Sequence, residues 1–303
     1  MPLARRIAYL ALPLLAALLA PARRCAAQLP ALLLVDTAVL RAPRLNESSG
    51  VVASRRHPGI FWTHNDNDDA PVLYTTDSTG ADLGFVRVRG TRNEDWEDLS
   101  VGPCTRGTGT CLFIADIGDN RSRRTTVAIY VVAEPDPPAG PGDTMRIVPV
   151  LDTIRLRYPD QPHNAEALAV ANGHLLIVTK DLTGPAVLFR TAIAGNDIRL
   201  LTRVGALDMR TSALRGRIAT GAAASADGRI LAVRTYASIH LFALGAGLPV
   251  PLTGPRGLGI PVIETQGEAI AFDLQGRLVL TSERGDRGHA ILTRLRLTGM
   301  AGP

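Results

Sequence analysis

The strongest constraint on this chain is a phrase that it repeats. Glu166-Ala-Leu-Ala-Val is followed by a turn and Leu-Leu-Ile-Val-Thr-Lys180. Thr220-Gly-Ala-Ala-Ala is followed by Asp227-Gly228 and Ile-Leu-Ala-Val-Arg234. Glu268-Ala-Ile-Ala-Phe is followed by Gln275-Gly276 and Leu-Val-Leu-Thr-Ser282. Equal spacing of a strand–turn–strand phrase predicts a repeat architecture, in which each unit buries its faces against its neighbours. Two further units carry the phrase with longer turns. Glu47-Ser-Ser-Gly-Val-Val leads through His57-Pro58-Gly59 to Ile60-Phe-Trp-Thr-His64-Asn-Asp66. Glu97-Asp-Leu-Ser-Val leads through a cysteine-flanked loop to Leu112-Phe-Ile-Ala-Asp116. Turns are where a hairpin tolerates insertion.

Two more alternating or apolar runs follow most hairpins: Val72–Thr76 and Leu83–Val88, Val127–Ala133 and Arg146–Arg157, Ala186–Thr191 and Ile198–Val204. Four short strands per unit, joined by Gly, Pro, Asp and Asn turns, predict an all-β propeller. The last unit runs out after a third strand at Ala290–Leu297, while Leu32–Leu40 is a spare apolar run near the start. That N-terminal strand is expected to complete the final blade and close the ring. The direct count is five blades. Six stays open, because 135–165 or 244–266 could hold a degenerate unit.

The formal net charge of +5 does not predict a nucleic-acid surface. Arg5, Arg6, Arg23 and Arg24 lie in the first 27 residues, which carry no acid, and the remainder is close to neutral. That segment reads as a secretory leader: Arg5-Arg6, then an apolar run Ile7–Ala20 too short for a span of about 20 residues, then small residues at Cys25-Ala26-Ala27; Arg23-Arg24 beside them leave an uncleaved anchor as the alternative. The expected organisation is a leader at 1–27 and one propeller domain at 28–303, secreted or periplasmic and monomeric. Cys104 and Cys111 remain, flanking Thr-Arg-Gly-Thr-Gly-Thr. A disulfide suits an oxidising compartment; two buried free thiols are the alternative.

In an antiparallel hairpin the start of one strand and the end of the next share an end. Glu47 is thus expected near Asp66, Glu97 near Asp116, Glu166 near Lys180, Thr220 near Arg234 and Glu268 near Glu283, all on one face. Converging carboxylates need compensation. A divalent cation, a plug of Lys180 and Arg234, or solvent could supply it. Hard oxygen ligands suit Ca²⁺ or Mg²⁺. The loops Asn65-Asp66-Asn67-Asp68-Asp69 and Asp116-Ile117-Gly118-Asp119-Asn120 add candidate ligands or are ordinary Asx turns. The candidate metal ligands are Glu47, Asp66, Glu97, Asp116, Asp119, Glu166, Glu268 and Glu283. His64, Lys180 and Arg234 are the candidate ligand-binding residues, and His64 and His163 the candidate general bases. Lys180 is the sole lysine. Nucleophile-elbow, zincin and phosphate-loop motifs are absent.

Glu47-Ser-Ser-Gly, Trp62-Thr-His-Asn-Asp66, Asp95-Trp-Glu-Asp-Leu99, Asp116-Ile-Gly-Asp-Asn120, Ala165-Glu-Ala-Leu168, Val233-Arg-Thr-Tyr236 and Gly267-Glu-Ala-Ile270 resemble a family of exported bacterial β-propeller proteins, similar in style to the SdiA-regulated and phytase-like propellers. The resemblance spans about residues 45–295. It implies a propeller and, from the phytase-like relatives, calcium with phosphoester or ester hydrolysis. Asn67 and Ala223 depart from the pattern, and the loss of a carboxylate near Ala223 counts against several metals at once. Two functions are carried forward: a cation-assisted site for a small anionic ligand, and a non-enzymatic module that docks a protein or an envelope component.

Overall fold

A computed structural model describes residues 30–67, 69–141, 146–193, 198–209 and 216–299. The expected leader and Asp68 lie outside the described residues. The fold is all-β and β-propeller-like; the regular structure of the described residues is strands and a 3-10 turn at Gly285–Arg287.

Strand β1 is Ala31–Val39. An antiparallel meander follows: β2 (Ser48–Ala53), β3 (Ile60–Asn65), β4 (Val72–Asp77) and β5 (Phe85–Arg89). The next is β6 (Trp96–Pro103), β7 (Thr110–Asp116), β8 (Val127–Ala133) and β9 (Ile147–Arg157). Then come β10 (Ala165–Ala171), β11 (His174–Thr179), β12 (Val187–Ala192), β13 (Arg199–Leu200) and β14 (Thr202–Ala206). They are followed by β15 (Ala219–Ala224), β16 (Ile230–Thr235), β17 (Ser238–Ala243), β18 (Val250–Pro251) and β19 (Leu258–Gly259). The chain ends in β20 (Gly267–Phe272), β21 (Leu278–Ser282) and β22 (Ile291–Thr298).

The first two meanders are joined by a parallel pair, β5 with β9, and β13 adds to β9 in parallel. Strand β1 pairs antiparallel with β22, from Ala31 opposite Thr298 to Val39 opposite Ile291, so the last sheet is ordered β1-β22-β21-β20. The stretch 135–165 holds β9, and 244–266 holds only β18 and β19, both paired to β17. The strands that open each meander, β2, β6, β10, β15 and β20, pack on one another in that order, and β20 packs on β2.

Apolar clusters fill the space between successive meanders. Trp62, Leu73 and Val86 meet Trp96, Leu112 and Ile114; Phe113 and Ile129 meet Leu175, Ile177 and Phe189. Both tryptophans are fully buried, as core residues of two adjoining meanders. Each fully buried large apolar side chain contributes about 1.5–3 kcal/mol. The β10–β11 turn is made by Asn172 and Gly173, both at positive φ (50° and 75°), the tight hairpin geometry that Asn-Gly favours. Cys104 and Cys111 form a disulfide across the β6–β7 loop, with Cα atoms 4.9 Å apart. No helix of the described residues is long and apolar enough to cross a membrane.

Candidate functional site

Each innermost hairpin carries the same irregularity. The pairing skips one residue of the first strand: Ser49, Glu97, Glu166, Thr220 and Glu268. A β-bulge leaves its extra residue unpaired and re-aims the side chain. The repeated acids are therefore bulge residues. Just beyond the last paired residue of each second strand stand Asp66, Ile117, Lys180, Tyr236 and Glu283, and two residues before each bulge stand Glu47, Asp95, Asn164, Ile218 and Gln266.

This register corrects two expected equivalences. Ser49, not Glu47, matches Glu97; Glu47 lies two residues earlier, exposed, in a bridge with Glu283. The counterpart of Lys180 is Tyr236, not Arg234. Turn lengths differ between the hairpins, so equal spacing in sequence does not mean equal place in the sheet. Arg234 pairs with Gly221 as His64 pairs with Gly50, and both large side chains are fully buried. Glycines give the room: a Cβ on Gly50 would stand 2.4 Å from His64 Nε2, and a Cβ on Gly267 would stand 2.7 Å from Arg234 Cζ.

Three carboxylates converge. One oxygen from each of Asp66, Asp95 and Glu97 lies within 4.8 Å of the others. Asp95 is an addition to the expected set, and Gly118 makes it possible. A Cβ on Gly118 would fall 2.2 Å from Glu97 Oε1 and 2.5 Å from Asp95 Oδ2. Beside this triad, Lys180 Nζ is 2.8 Å from Glu166 Oε1 and 5.7 Å from the centre of the Tyr236 ring. Glu283 accepts from Gln266 Nε2 at 2.6 Å. Glu268 is buried, and its Oε2 has no hydrogen-bond partner; Asp95 Oδ1 also lacks one.

The electrostatics are those of a crowded acid set. Burial, then the Glu166 charge, pushes the Asp66 carboxyl up to about 7. Burial likewise raises Asp95 to about 6, with Glu166 and Asp116 adding to it and Arg124 opposing. Glu97 and Glu268 are held well above the usual carboxylate range by burial and by Glu166, against the pull of Lys180. Burial draws the Lys180 ammonium down, but Glu166 more than offsets it and holds the group well above its ordinary value.

The other expected site residues lie outside the triad, Asp116 directly beside it, where its Oδ1 accepts the Asp95 N–H at 3.3 Å and its Oδ2 has no hydrogen-bond partner. Asp116 binds Arg124 at 2.8 Å, and Asp119 accepts from the Arg124 backbone N–H at 2.7 Å. His64 sits edge-on to Trp96, ring centres 5.6 Å apart. Burial lowers its pKa to about 4, so the imidazole is neutral and enclosed. Arg234 bonds Glu264 and the carbonyls of Ala269 (2.7 Å) and Thr281 (2.8 Å). His163 pairs with Asp160 at 3.0 Å and packs on Tyr158 and Phe189. A cavity of about 420 Å³, lined by Asn120, Gln161, His163, Asn164, Lys180 and Thr183, opens beside Lys180.

Fold and site together define a β-propeller-like protein with an acidic cage at one end of its innermost strands. No family model matches the chain, and no curated protein matches it. Among solved structures it is similar to a gluconolactonase from Xanthomonas campestris, at 13% identity over 82% of this chain and 72% of that one, with a TM-score of 0.43. It is also similar to the PQQ-bound aldose sugar dehydrogenase of Streptomyces coelicolor, at 14% identity over 88% and 98%, with a TM-score of 0.43. Neither likeness carries an argument about the chemistry of the cage.

Proposed function

We propose that the chain is an exported five-bladed β-propeller, its ring closed by β1, that binds a divalent cation at Asp66, Asp95 and Glu97 and uses it to hold a small anionic ligand. The β1–β22 pairing and the cyclic packing of the innermost strands support the ring. The Cys104–Cys111 disulfide suits an oxidising compartment. The observation that carries the cation is the cage itself. Three carboxylate oxygens lie within 4.8 Å, Gly118 leaves them space, and buried oxygens of Glu268 and Asp95 lack partners. An all-oxygen donor set of this kind fits Ca²⁺ or Mg²⁺.

A bound divalent cation supplies Lewis acidity toward a phosphoryl or acyl oxygen. The chain's own groups do the rest. Lys180, fixed by Glu166, offers an ammonium to the ligand's negative charge. Asn164 and Asn120 line the adjoining cavity, with Asn164 Nδ2 donating to Asn120 Oδ1 at 3.1 Å and to Glu166 Oε1 at 3.4 Å. Hydrolysis of a phosphoester or ester is the activity this arrangement suits. The absence of nucleophile motifs favours a second reading, a binding module for a small anion or an envelope component.

Calorimetric titration of the EDTA-treated chain from residue 28 with Ca²⁺, Mg²⁺ and Mn²⁺ tests the cage. Saturable heat and a rise in melting temperature are expected. Silence with all three ions would sink the reading. Turnover of phosphoesters, lactones or aryl esters that is lost in Glu97→Gln separates the enzyme from the binding module.

A further inference from the structure

The position just after each bulge is occupied by Gly50, Asp98, Ala167, Gly221 and Ala269. Four of the five have a side chain of one carbon or none. The fifth is an aspartate, and it is fully buried. Its carboxylate reaches across the ring of innermost strands. Oδ1 accepts the N–H of Leu99 at 2.8 Å. Oδ2 accepts the N–H of Leu168 on β10 at 2.8 Å and that of Ala222 on β15 at 3.1 Å. Innermost strands of neighbouring meanders do not pair, so N–H groups that face inward need another acceptor. A buried, unbonded donor costs about 1–3 kcal/mol. Small residues at the other four positions leave the space that this side chain fills. Leu168 lies two residues beyond Glu166, and Ala222 two beyond Thr220, so the tie runs directly beneath the bulge level. At the opposite end of the same strands a separate cavity of about 370 Å³ is lined by Leu99, Val170, Ala222 and Ile270 but not by Asp98.

We infer that Asp98 is the positioning residue of the acidic cage: its carboxylate forms the cage floor and fixes the strand of Glu166 against the strand of Glu97. This rests on the cation reading. Asp98 does not touch the cation. It holds the two bulges at the separation at which Asp66, Asp95 and Glu97 converge with Glu166 alongside, and it seals the cage from the cavity below. An apolar side chain of similar size would fill the space but leave the Leu168 and Ala222 donors without an acceptor.

The test compares Asp98→Asn with Leu175→Ala, a cavity-forming change in the core far from the cage, in the chain from residue 28. Both are titrated with Mn²⁺, read by the loss of the free-ion paramagnetic resonance signal, well below their melting temperatures. Asp98→Asn is expected to weaken Mn²⁺ binding at least tenfold, and Leu175→Ala to stay within twofold whatever its loss of stability. Equal affinity in Asp98→Asn and the unaltered chain, or a loss that tracks stability in both variants, overturns the role and leaves the cage standing. An unaltered chain that takes up no Mn²⁺ overturns the cage and the role together. A measurement that needs no variant guards against Asp98→Asn failing to fold. In native amide exchange Leu168 and Ala222 are expected to be as protected as the ladder amides of β7. Fast exchange at these two positions rejects the tie.

Discussion

Two buried ion pairs, one repeat apart, behave as opposites. Arg234 and Glu264 are sealed: their side chains are 0% and 4% exposed, and the guanidinium also bonds two backbone carbonyls. Lys180 and Glu166 sit at the cage, 18% and 6% exposed, among further carboxylates that raise one another. The first pair is neutral in itself and its hydrogen bonds are largely spent. The second leaves the region short of positive charge, in contact with solvent, and able to take up more. The difference comes from one feature. Arg234 lies within its strand, opposite Gly221, whereas Lys180 lies just past the end of its strand, where the hairpin opens.

Breaking the sealed pair should have the largest effect. Arg234→Met strands the Glu264 carboxylate and the Ala269 and Thr281 carbonyls in a dry interior. Removing one partner of a buried pair costs about 3–5 kcal/mol, and chemical denaturation should show a loss of that order. Adding Glu264→Leu should restore part of it, because no unpaired charge then remains; a double variant as unstable as Arg234→Met would show that the pair is not the source. Cation affinity of the folded variants should be unchanged.

Much of this contrast was legible in the sequence, and its limit is physical. The repeated phrase placed Glu97, Glu166 and Glu268 at one end of their strands because the strand period and hairpin geometry leave little freedom. Strand β1 was readable as a spare apolar run. The assignment of Arg234 as Lys180's twin failed because turn length shifts register without changing the phrase. Glu47 reads as the first unit's repeat acid because Glu47 to Asp66 spans the same distance in sequence as Glu97 to Asp116, yet the bulge falls on Ser49. Asp95 was visible in the Asp-Trp-Glu-Asp run, but its place in the cage depends on Gly118, a contact between strand ends that no local pattern encodes. Asp98 had a local signal that was readable: it is the one charged residue at a position otherwise Gly or Ala. The partner of Arg234, Glu264, sits in a loop outside the repeat, where periodicity says nothing.

The open region can be probed by filling it. Gly118→Ala puts a methyl group against Glu97 and Asp95, while Gly118 has no left-handed backbone requirement. The expected loss is about 2 kcal/mol of cation binding, roughly thirtyfold, with little change in the denaturation midpoint. A variant that binds like the unaltered chain would place the cation elsewhere. Lys180→Met acts in the opposite sense. Removing a positive charge beside the cage should strengthen cation binding by about 1 kcal/mol, roughly fivefold, and weaken binding of an anion. Tighter cation binding with no change in anion affinity would mean that Lys180 serves Glu166 alone.

The dependence on pH separates the two regions by whether bound cation removes it. In the folded, cation-free chain the Asp66 carboxyl titrates near 7 and Asp95 near 6, whereas in the unfolded chain both titrate near about 4. Between those values the folded state holds protons that the unfolded state has lost. Stability from these groups is therefore complete below about pH 4 and is lost as the pH rises through 6 and 7. Melting temperature in EDTA should fall by roughly ten degrees from pH 5 to pH 8. Saturating cation should flatten the fall, since the ion replaces the protons, and cation affinity should rise over the same interval. Arg234→Met should steepen the fall, because Glu264, already raised by burial, loses the guanidinium that opposes the shift, and saturating cation should leave that added part in place. A slope that survives saturating cation in the unaltered chain would mean that the titrating carboxylates are not those of the cage.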